Sequence, residues 1–349
     1  MKHAVIGTGF IGSYLVAHLL RAHYHVIALG RDSFRAHFNQ GVAQPCLTIS
    51  DYNDFRWQQA LSEAVFFTQR AQCSQAVDIV WVTVKCTGLD NAITDIRAFL
   101  KPNTLIVACQ NGMGSEQILR KAFPQHVIIR AMFPFNVVSP TPGEFRRSSS
   151  GAIALEYSGK TDIDLDRLIT ALQYKTFPIH IEHNMDGLLW AKIQLNLTNS
   201  VNALSGKSLQ ATLLDSEYRY LVAKMMEEHV LVCRTAGLRL PKITTVPAQW
   251  IPKILHLPTW LFKRVAKSMV AIDPAAKLSM WWDLEYARPT EADFINQATI
   301  RLGQKVGVAT PLNNAVYACL KAHETERLKG LARHAFSVSE IMTYTALGK

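Results

Sequence analysis

The sequence of 349 residues predicts an α/β protein in which a doubly wound parallel sheet is followed by an all-α region. In the first half, short and nearly continuous apolar runs alternate with helical spacing, as in a parallel sheet covered on both faces. From Met185 onward the spacing is helical almost to the end, and no strand–helix alternation returns. The change falls near His183, so we expect an α/β domain at residues 1–183 and a helical domain at 184–349.

Each element of the first domain follows from the local apolar pattern. The predicted strands are residues 3–6, 25–29, 78–84, 104–108, 127–129, 152–157 and 177–182. Helical spacing predicts helices at residues 11–21 and 164–174, and at 188–204 in the second domain. The stretch that contains Phe55, Trp57 and Phe66 has no clear period, so no elements are assigned to it.

The composition indicates a folded protein of enzyme size. It is 49% hydrophobic and 18% charged, and it contains no low-complexity tract. No apolar run approaches the ~18 residues of a membrane-spanning helix. The first residues lead directly into a strand, which leaves no room for a signal peptide, so we expect a cytoplasmic protein.

Charge and cysteine content argue against two other classes of ligand. The formal net charge is +10, but the basic residues are spread thinly and no aromatic–basic motif accompanies them. An anionic cofactor explains this charge more simply than a nucleic acid, and no nucleic-acid partner is expected. The six cysteines form no CxxC pair, so we expect reduced thiols and no metal site.

Residues 241–274 form an unusual segment with five prolines, Trp250, Trp260 and Phe262. Amphipathic membrane contact is one reading of it. A helical insertion packed against the second domain is favoured, because the prolines interrupt any long helix. We therefore expect no membrane partner.

The most informative motif comes directly after the first predicted strand. Gly7-Thr8-Gly9-Phe10-Ile11-Gly12 opens the first helix, which is the context of a Rossmann-type dinucleotide-binding turn. In that turn the first glycine permits the bend, the second lets the backbone approach the pyrophosphate, and the third lets helix and strand pack closely. The helix amides would face the phosphates.

The end of the second strand points to the kind of dinucleotide. NAD-selective enzymes place a carboxylate there, whereas this strand is followed by Arg31, 19 residues after Gly12. A guanidinium suits a 2′-phosphate, so NADP is favoured. Asp32 comes next, which leaves dual use of NAD and NADP open.

Three further segments carry polar groups in apolar surroundings. Lys85 ends an apolar strand and either faces the nicotinamide half of the cofactor or points to solvent. Asn111 follows another strand and is either a turn former or a ligand-binding residue. On the predicted helix 188–204, one stripe carries Lys192, Asn196, Asn199 and Ser200, and the opposite stripe carries Gln194, Thr198 and Asn202. We expect one stripe to face solvent and the other a site.

Taken together, these residues resemble the ketopantoate reductase (2-dehydropantoate 2-reductase) family over nearly the whole chain. The matching motifs are Gly7-x-Gly9-x-x-Gly12, Val84-Lys85, Gln110-Asn111-Gly112, Lys192-x-x-x-Asn196, Ser279-Met280-x-x-Asp283, and Arg288-x-Thr290-Glu291-x-Asp293-Phe294-Ile295-Asn296. The last two segments are the most specific.

The resemblance implies hydride transfer from NADPH to the ketone carbon of 2-dehydropantoate, which gives (R)-pantoate, a step towards pantothenate and coenzyme A. By position, it makes Lys192 the general acid, and it turns the Lys192 stripe inward. Asn111 would position substrate and nicotinamide, and Glu291 would accept a hydrogen bond from the distal hydroxyl of the substrate. Asn196, Ser200 and Ser279 would bind the polar groups of the substrate.

Some positions depart from the family pattern and keep the substrate open. Ser200 stands where a second asparagine is often found, and Ala292 and Gln297 replace residues common in the motif around Glu291. A related reductase of another 2-keto acid, or a non-catalytic NADP-sensing protein, therefore remains an alternative. Association into a homodimer is also left open.

Overall fold

The structure, a computed structural model, describes residues 1–31, 46–60, 65–67, 73–174, 176–266 and 273–344. It has two compact units. The first consists of Met1–Gln110 and Ser115–Met185, and the second of Asn111–Gly114 and Asp186–Lys349. The main division lies two residues beyond the expected boundary, and the short segment Asn111–Gly114 belongs to the helical unit.

The first unit is α/β, and the predicted architecture is confirmed. In chain order, its strands are β1 Lys2–Ile6, β2 His25–Leu29, β3 Cys46–Asp51, β4 Arg56–Ala60, β5 Phe66–Phe67, β6 Ile79–Val82, β7 Leu105–Ala108, β8 Ile128–Met132, β9 Val137–Val138, β10 Glu144–Arg147, β11 Ile153–Glu156 and β12 Ile179–Glu182. Its helices are α1 Phe10–Arg21, α2 Leu89–Arg97, α3 Ser115–Ala122 and α4 Leu165–Leu172, and a 3₁₀ turn covers Cys86–Gly88.

The central strands of the main sheet all end at the same level. Over the described residues it has eight strands in the order β12-β11-β8-β7-β6-β1-β2-β5, and β1, β2, β6 and β7 run parallel. Ile6 of β1 is in register with Leu29 of β2 and with Val82 of β6, and Val82 pairs with Ala108 of β7. The carboxyl ends of these four strands are therefore level, and ligands of open parallel sheets lie beyond such ends.

Alternate side chains of the central strands enter two separate cores. Val5 and Trp81 are buried in one cluster with residues of α1, such as Leu15. Val80 lies in the other cluster with Ile96 of α2. The sheet is thus covered on both faces, which explains why its strands read as continuous apolar runs.

A second sheet was not predicted from the sequence. It has four strands in the order β4-β3-β10-β9, with β3 paired parallel to β10. The buried positions of β3 and β10 include polar and charged residues such as Ser50 and Arg147, and most of β4 is exposed. Polar residues at buried positions interrupt the apolar alternation by which a strand is recognised.

The second unit is helical. Its helices are α5 Met185–Ser205, α6 Leu209–Leu214, α7 Ser216–Thr235, α8 Ile251–Leu255, α9 Thr259–Val265, α10 Ser279–Glu285, α11 Asn296–Val306, α12 Pro311–Leu328 and α13 Val338–Thr343. Short 3₁₀ turns cover Ala248–Trp250 and Ala292–Phe294.

Helix α5 is central to this unit, which corrects one expectation. Gln194, Thr198 and Asn202, one of the two polar stripes, are all buried. Gln194 donates to the carbonyl of Ala248 at 2.8 Å, and Asn202 donates to Thr212 Oγ1 at 3.0 Å. The expectation that one stripe faces solvent was wrong, because these side chains hold neighbouring segments against the helix.

The described part of the proline-rich segment packs within the helical unit, as predicted. Phe262 of α9 is fully buried in the core of that unit. The guanidinium of Arg219 lies 4.7 Å from the Phe262 ring and donates to Leu255 O and Thr259 Oγ1, both at 3.0 Å. No helix among the described residues has both the length and the apolarity needed to cross a bilayer.

Candidate functional site

The glycines of the turn between β1 and α1 are required by close backbone contacts. Gly7 has φ +106°, and a Cβ there would lie 2.6 Å from the amide nitrogen of Val84. A Cβ on Gly12 would lie 2.0 Å from the carbonyl oxygen of Gly7. At Gly9, in contrast, a Cβ would meet nothing within 4 Å. Two glycines thus hold the turn together, while Gly9 borders open space.

The start of α1 suits an anion. Gly9 is its N-cap residue, no side chain caps the helix, and the first turn contains no acidic residue. The amides of a helix's first turn have no partner within the helix and carry partial positive charge. Thr8 is buried and its carbonyl accepts from Ser13 Oγ at 3.1 Å, whereas Phe10 is exposed and Ile11 is half-buried.

Two residues that support this turn were missed in the sequence. Thr83 Oγ1 donates to the carbonyl of Gly7 at 2.6 Å, which ties the turn to the end of β6. A Cβ on Gly30 would lie 1.7 Å from Thr8 Oγ1. A glycine directly before Arg31, at the end of a predicted strand, was the available signal for close packing there.

The other predicted cofactor residues follow the level ends of β2 and β6. Arg31 is exposed after β2, and Lys85 is exposed at the start of the 3₁₀ turn that follows β6. Asp32, the residue that left NAD use open, lies outside the described residues. Gln110 is buried at the end of β7 and donates to Val82 O at 2.7 Å and to Val84 O at 3.1 Å. It therefore fixes the backbone that leads to Lys85.

Asn111 is exposed and begins the short segment that belongs to the helical unit. Gly112 next to it has φ +93°, and a Cβ there would lie 2.4 Å from the carbonyl oxygen of Phe294. The amide of Met113 donates to the same oxygen at 2.9 Å. The segment is thus attached to the 3₁₀ turn that directly follows Glu291.

Lys192 lies on α5 and is partly buried. Burial lowers its pKa from 10.5 to about 8, and the negative charge of Glu291 opposes this shift. A lysine pKa near 8 is typical of groups that exchange protons in catalysis.

The backbone around Glu291, itself buried, is held by other charged groups. Thr290 donates to Glu324 Oε2 through its amide at 2.8 Å and through its hydroxyl at 2.5 Å. Asp293 accepts from Tyr317 Oη at 2.5 Å and from Lys321 Nζ at 3.2 Å. Glu324, Tyr317 and Lys321 were not predicted, since only packing in space shows their proximity to the motif.

The remaining predicted substrate residues lie at different depths. Asn196 is half-buried one turn after Lys192 on α5. Ser200 has no exposed surface; its hydroxyl donates to Leu197 O at 2.9 Å and accepts from Asn296 Nδ2 at 3.1 Å. This internal packing differs from the substrate contact expected for Ser200.

Ser279 is exposed at the first residue of α10. The amide of the preceding residue, Leu278, donates to Asn202 Oδ1 at 3.1 Å, which anchors the start of α10 to α5. Lys192, Asn196 and the anchor Asn202 thus occur along one helix, whereas Glu291 and Ser279 come from other elements of the same unit.

Each of the two units matches a known family description. Residues 3–160 match the family described as "Ketopantoate reductase PanE/ApbA", and residues 184–324 match "Ketopantoate reductase PanE/ApbA C terminal". The chain belongs to the ketopantoate reductase family. The predicted resemblance is confirmed, and the chain is accordingly an oxidoreductase.

Curated members of the ketopantoate reductase family match this chain over almost its full length at low identity. A 2-dehydropantoate 2-reductase of Vibrio cholerae is 22% identical over 93% of this chain and 98% of its own length. The enzyme of the same name from Mesorhizobium japonicum is 26% identical over 94% of this chain and 99% of its own length.

Solved structures show the same fold. A PanE/ApbA family ketopantoate reductase from Ralstonia eutropha superposes with a TM-score of 0.74 at 22% identity, covering 94% of this chain and 99% of that chain. A D-mandelate dehydrogenase solved with NADH and anilino(oxo)acetate gives the same TM-score at 21% identity, with the same coverage. A dimeric ketopantoate reductase from Staphylococcus aureus gives 0.70 at 17% identity, over 94% of this chain and 100% of that chain.

Proposed function

We propose that this protein reduces 2-dehydropantoate to (R)-pantoate with NADPH. The observation that carries the proposal is the pair of Lys192 and Glu291, in which a partly buried lysine has a pKa lowered to about 8 and its ammonium is stabilised by the charge of a buried carboxylate. The curated relatives named 2-dehydropantoate 2-reductase support the choice of substrate.

The residues of the first unit fit a nicotinamide dinucleotide. The open space at Gly9 and the uncapped start of α1 offer a place for a pyrophosphate. Arg31 would bind the 2′-phosphate of NADPH, and Lys85 would lie towards the nicotinamide. Asn111, which belongs to the helical unit, would be a further ligand of the nicotinamide. When bound, the nicotinamide supplies the hydride that reduces the ketone carbon.

Lys192 would supply the proton. Reduction of the ketone places negative charge on the carbonyl oxygen, and an ammonium beside it stabilises this charge and then protonates the oxygen. The lowered pKa makes Lys192 a stronger acid than a solvated lysine, because burial has already made its charged form less stable.

Other side chains of the helical unit would bind the rest of the substrate. Glu291 would accept a hydrogen bond from the distal hydroxyl, and its charge keeps the ammonium of Lys192 populated near neutral pH. Asn196, on the same helix as Lys192, and Ser279 would bind the carboxylate and carbonyl groups. The hydroxyl that Glu291 would bind separates ketopantoate from simpler keto acids, because an analogue without it cannot donate a hydrogen bond to this buried carboxylate.

A larger, aromatic 2-keto acid is a second candidate substrate. Helix α10, which carries Ser279, also carries the exposed Trp282. The Trp282 ring is stacked on the Tyr286 ring, with centroids 5.8 Å apart and an angle of 16° between the ring planes. Exposed aromatic faces of this kind bind aromatic rings. The D-mandelate dehydrogenase with a similar fold was solved with anilino(oxo)acetate, an aromatic oxo acid derivative.

The test is NADPH consumption with ketopantoate, 2-oxoisovalerate and phenylglyoxylate. We expect the highest kcat/KM for ketopantoate, with the other two lower by at least about tenfold for the missing hydroxyl contact. Preference for phenylglyoxylate would support the second candidate.

The variant K192A should bind NADPH normally and lose turnover. Full turnover in K192A, or no consumption with any keto acid, would remove the proposed function.

A further inference from the structure

A cluster of metal-binding side chains lies near the end of α12. His323 and Glu326 are three residues apart on this helix and therefore on the same face, and His334 comes from the segment that follows it. One potential ligand atom from each residue lies within 4.8 Å of those from the other two. His323 Nδ1 is 3.3 Å from Glu326 Oε2, and the two imidazole rings have centroids 4.7 Å apart.

His323 is the buried member of the cluster. Its side chain is inaccessible to solvent, and its Nε2 atom has no hydrogen-bond partner among the described residues. Nδ1 is the ring nitrogen beside Glu326, so it is the atom that would bind a metal together with that carboxylate, whereas Nε2 points away from Nδ1 on the same ring.

We propose that His323, Glu326 and His334 form a binding site for a divalent transition-metal ion such as Zn²⁺. Two imidazoles and one carboxylate are a donor set that Zn²⁺ binds and that Mg²⁺ and Ca²⁺, which require mostly oxygen ligands, do not favour. Three protein ligands leave a fourth position for water. That position would be reached from the side of His334, which is exposed, and Glu326, which is half-buried.

The two neighbouring arginines are engaged elsewhere. Arg333 donates to Ala203 O at 2.8 Å and lies 3.4 Å from a carboxylate oxygen of Glu285. Arg327 donates to the carbonyl of Leu284 at 2.8 Å and to that of Glu285 at 2.9 Å. Carbonyl oxygens and the Glu285 carboxylate thus offset these two positive charges, while Glu326 supplies the negative charge of the cluster.

The site would fasten the segment after α12 to the helical unit. Phe336 of this segment already donates its amide to Leu204 O at 2.9 Å and accepts from Tyr218 Oη at 2.7 Å. A metal bound by two residues of α12 and by His334 would add a further link. Glu326 and His334 lie beyond residues 184–324, the range that matches the C-terminal family description.

The experiment uses the full chain with any purification tag removed, stripped of metal and titrated with Zn²⁺. Isothermal titration calorimetry should give one ion per chain, and the melting temperature should rise with Zn²⁺ but not with Mg²⁺. The exposed ligand is changed in H334A and the carboxylate in E326Q, and each should weaken Zn²⁺ binding by at least about tenfold.

H180A is the matched control. His180 lies 3.8 Å from Glu182 and so forms a histidine–carboxylate pair that belongs to no three-ligand group in the described part of the chain. This variant should bind Zn²⁺ like the unchanged protein. Circular dichroism verifies that H334A and E326Q are folded. Absence of Zn²⁺ binding by the unchanged chain, or Zn²⁺ binding in H334A and E326Q that is as strong as in the unchanged chain, would overturn the proposal.

Discussion

Burial and the charge of Glu291 act on Lys192 in opposite directions. Burial lowers the pKa of the lysine to about 8, and the carboxylate opposes the shift by stabilising the ammonium. Glu291 is itself buried, so water screens the interaction less than it would between two surface charges. The protonation state of Lys192 thus depends on a second residue that can be changed independently.

The first prediction concerns the pH dependence of turnover. If Lys192 donates the proton, only its ammonium form is active, so kcat should fall as the pH rises through about 8. In E291Q the opposing charge is lost, and the pKa of Lys192 should fall further. The alkaline limb of the pH–kcat profile should therefore move to lower pH. The measurement is steady-state kcat from pH 6 to 10 for both proteins.

The alkaline decrease in kcat could also come from slow product release. Single-turnover measurements with NADPH exclude this, because they follow only the steps up to the chemical reaction. A profile in E291Q that moves to higher pH, or a kcat that stays constant up to pH 10 in the unchanged protein, would contradict the assignment of Lys192 as the acid.

The second prediction separates two glycines of the same turn. Gly9→Ala adds a methyl group that meets nothing within 4 Å, so the free energy of unfolding should fall by only about 1 kcal/mol, the preference of an N-cap position for glycine over alanine. The same methyl group would occupy the space proposed for the pyrophosphate. We expect the Kd for NADPH to rise by at least about tenfold, the equivalent of 1.4 kcal/mol.

Gly12→Ala is the comparison for this experiment. Its Cβ would lie 2.0 Å from the carbonyl oxygen of Gly7, so stability and cofactor binding should both decrease, with a loss of about 1–3 kcal/mol in unfolding free energy. Thermal denaturation and fluorescence titration with NADPH measure the two effects. Unchanged NADPH affinity in Gly9→Ala would argue against a pyrophosphate at this turn.

The sequence was sufficient to predict those parts of the fold that have a strong local period. The central strands and α1 were located within a few residues, because a parallel sheet buried on both faces produces continuous apolar runs. The sheet formed by β3, β4, β9 and β10 was missed, since several of its buried residues are polar or charged and its strands pair across a long stretch of chain. Pairing between distant segments leaves no local signal.

The same distinction applies to the candidate site. Lys192 and Glu291 were found through the motifs that surround them. Glu324, which holds Thr290 from 34 residues away, has no such motif. Ser200 was assigned to the substrate by its place in a pattern, but the structure puts its hydroxyl against Asn296 inside the helical unit. Sequence position alone does not distinguish a side chain that lines a site from one that packs behind it.

The third prediction concerns cofactor choice. Arg31 is exposed at the end of β2 and would form charge-assisted hydrogen bonds with the 2′-phosphate. Such bonds contribute about 1.5–3 kcal/mol, so R31A should raise the KM for NADPH by about tenfold or more. The KM for NADH, which has no 2′-phosphate, should change much less. R167A, which removes another exposed arginine on α4, should leave both values unchanged. Equal effects of R31A on both cofactors would contradict selection by Arg31.

The fourth prediction tests whether the proline-rich segment is part of the helical unit's core. Phe262 is fully buried and its ring lies under the guanidinium of Arg219, which is itself satisfied by Leu255 O and Thr259 Oγ1. Phe262→Ala removes a large buried ring and should cost about 3–5 kcal/mol of unfolding free energy. Trp260, two residues earlier, is 70% exposed, and Trp260→Ala should change the free energy by less than about 0.5 kcal/mol.

Denaturant unfolding followed by circular dichroism compares the two variants. A segment that only rests on the surface would give small losses in both, because little apolar area would return to water. A large loss in Phe262→Ala alone would indicate that α8 and α9 fold together with α7. The ring belongs to α9, Arg219 to α7, and the oxygens that Arg219 binds belong to Leu255 of α8 and Thr259 of α9. The insertion would then be needed for the stability of the unit that carries Lys192 and Glu291.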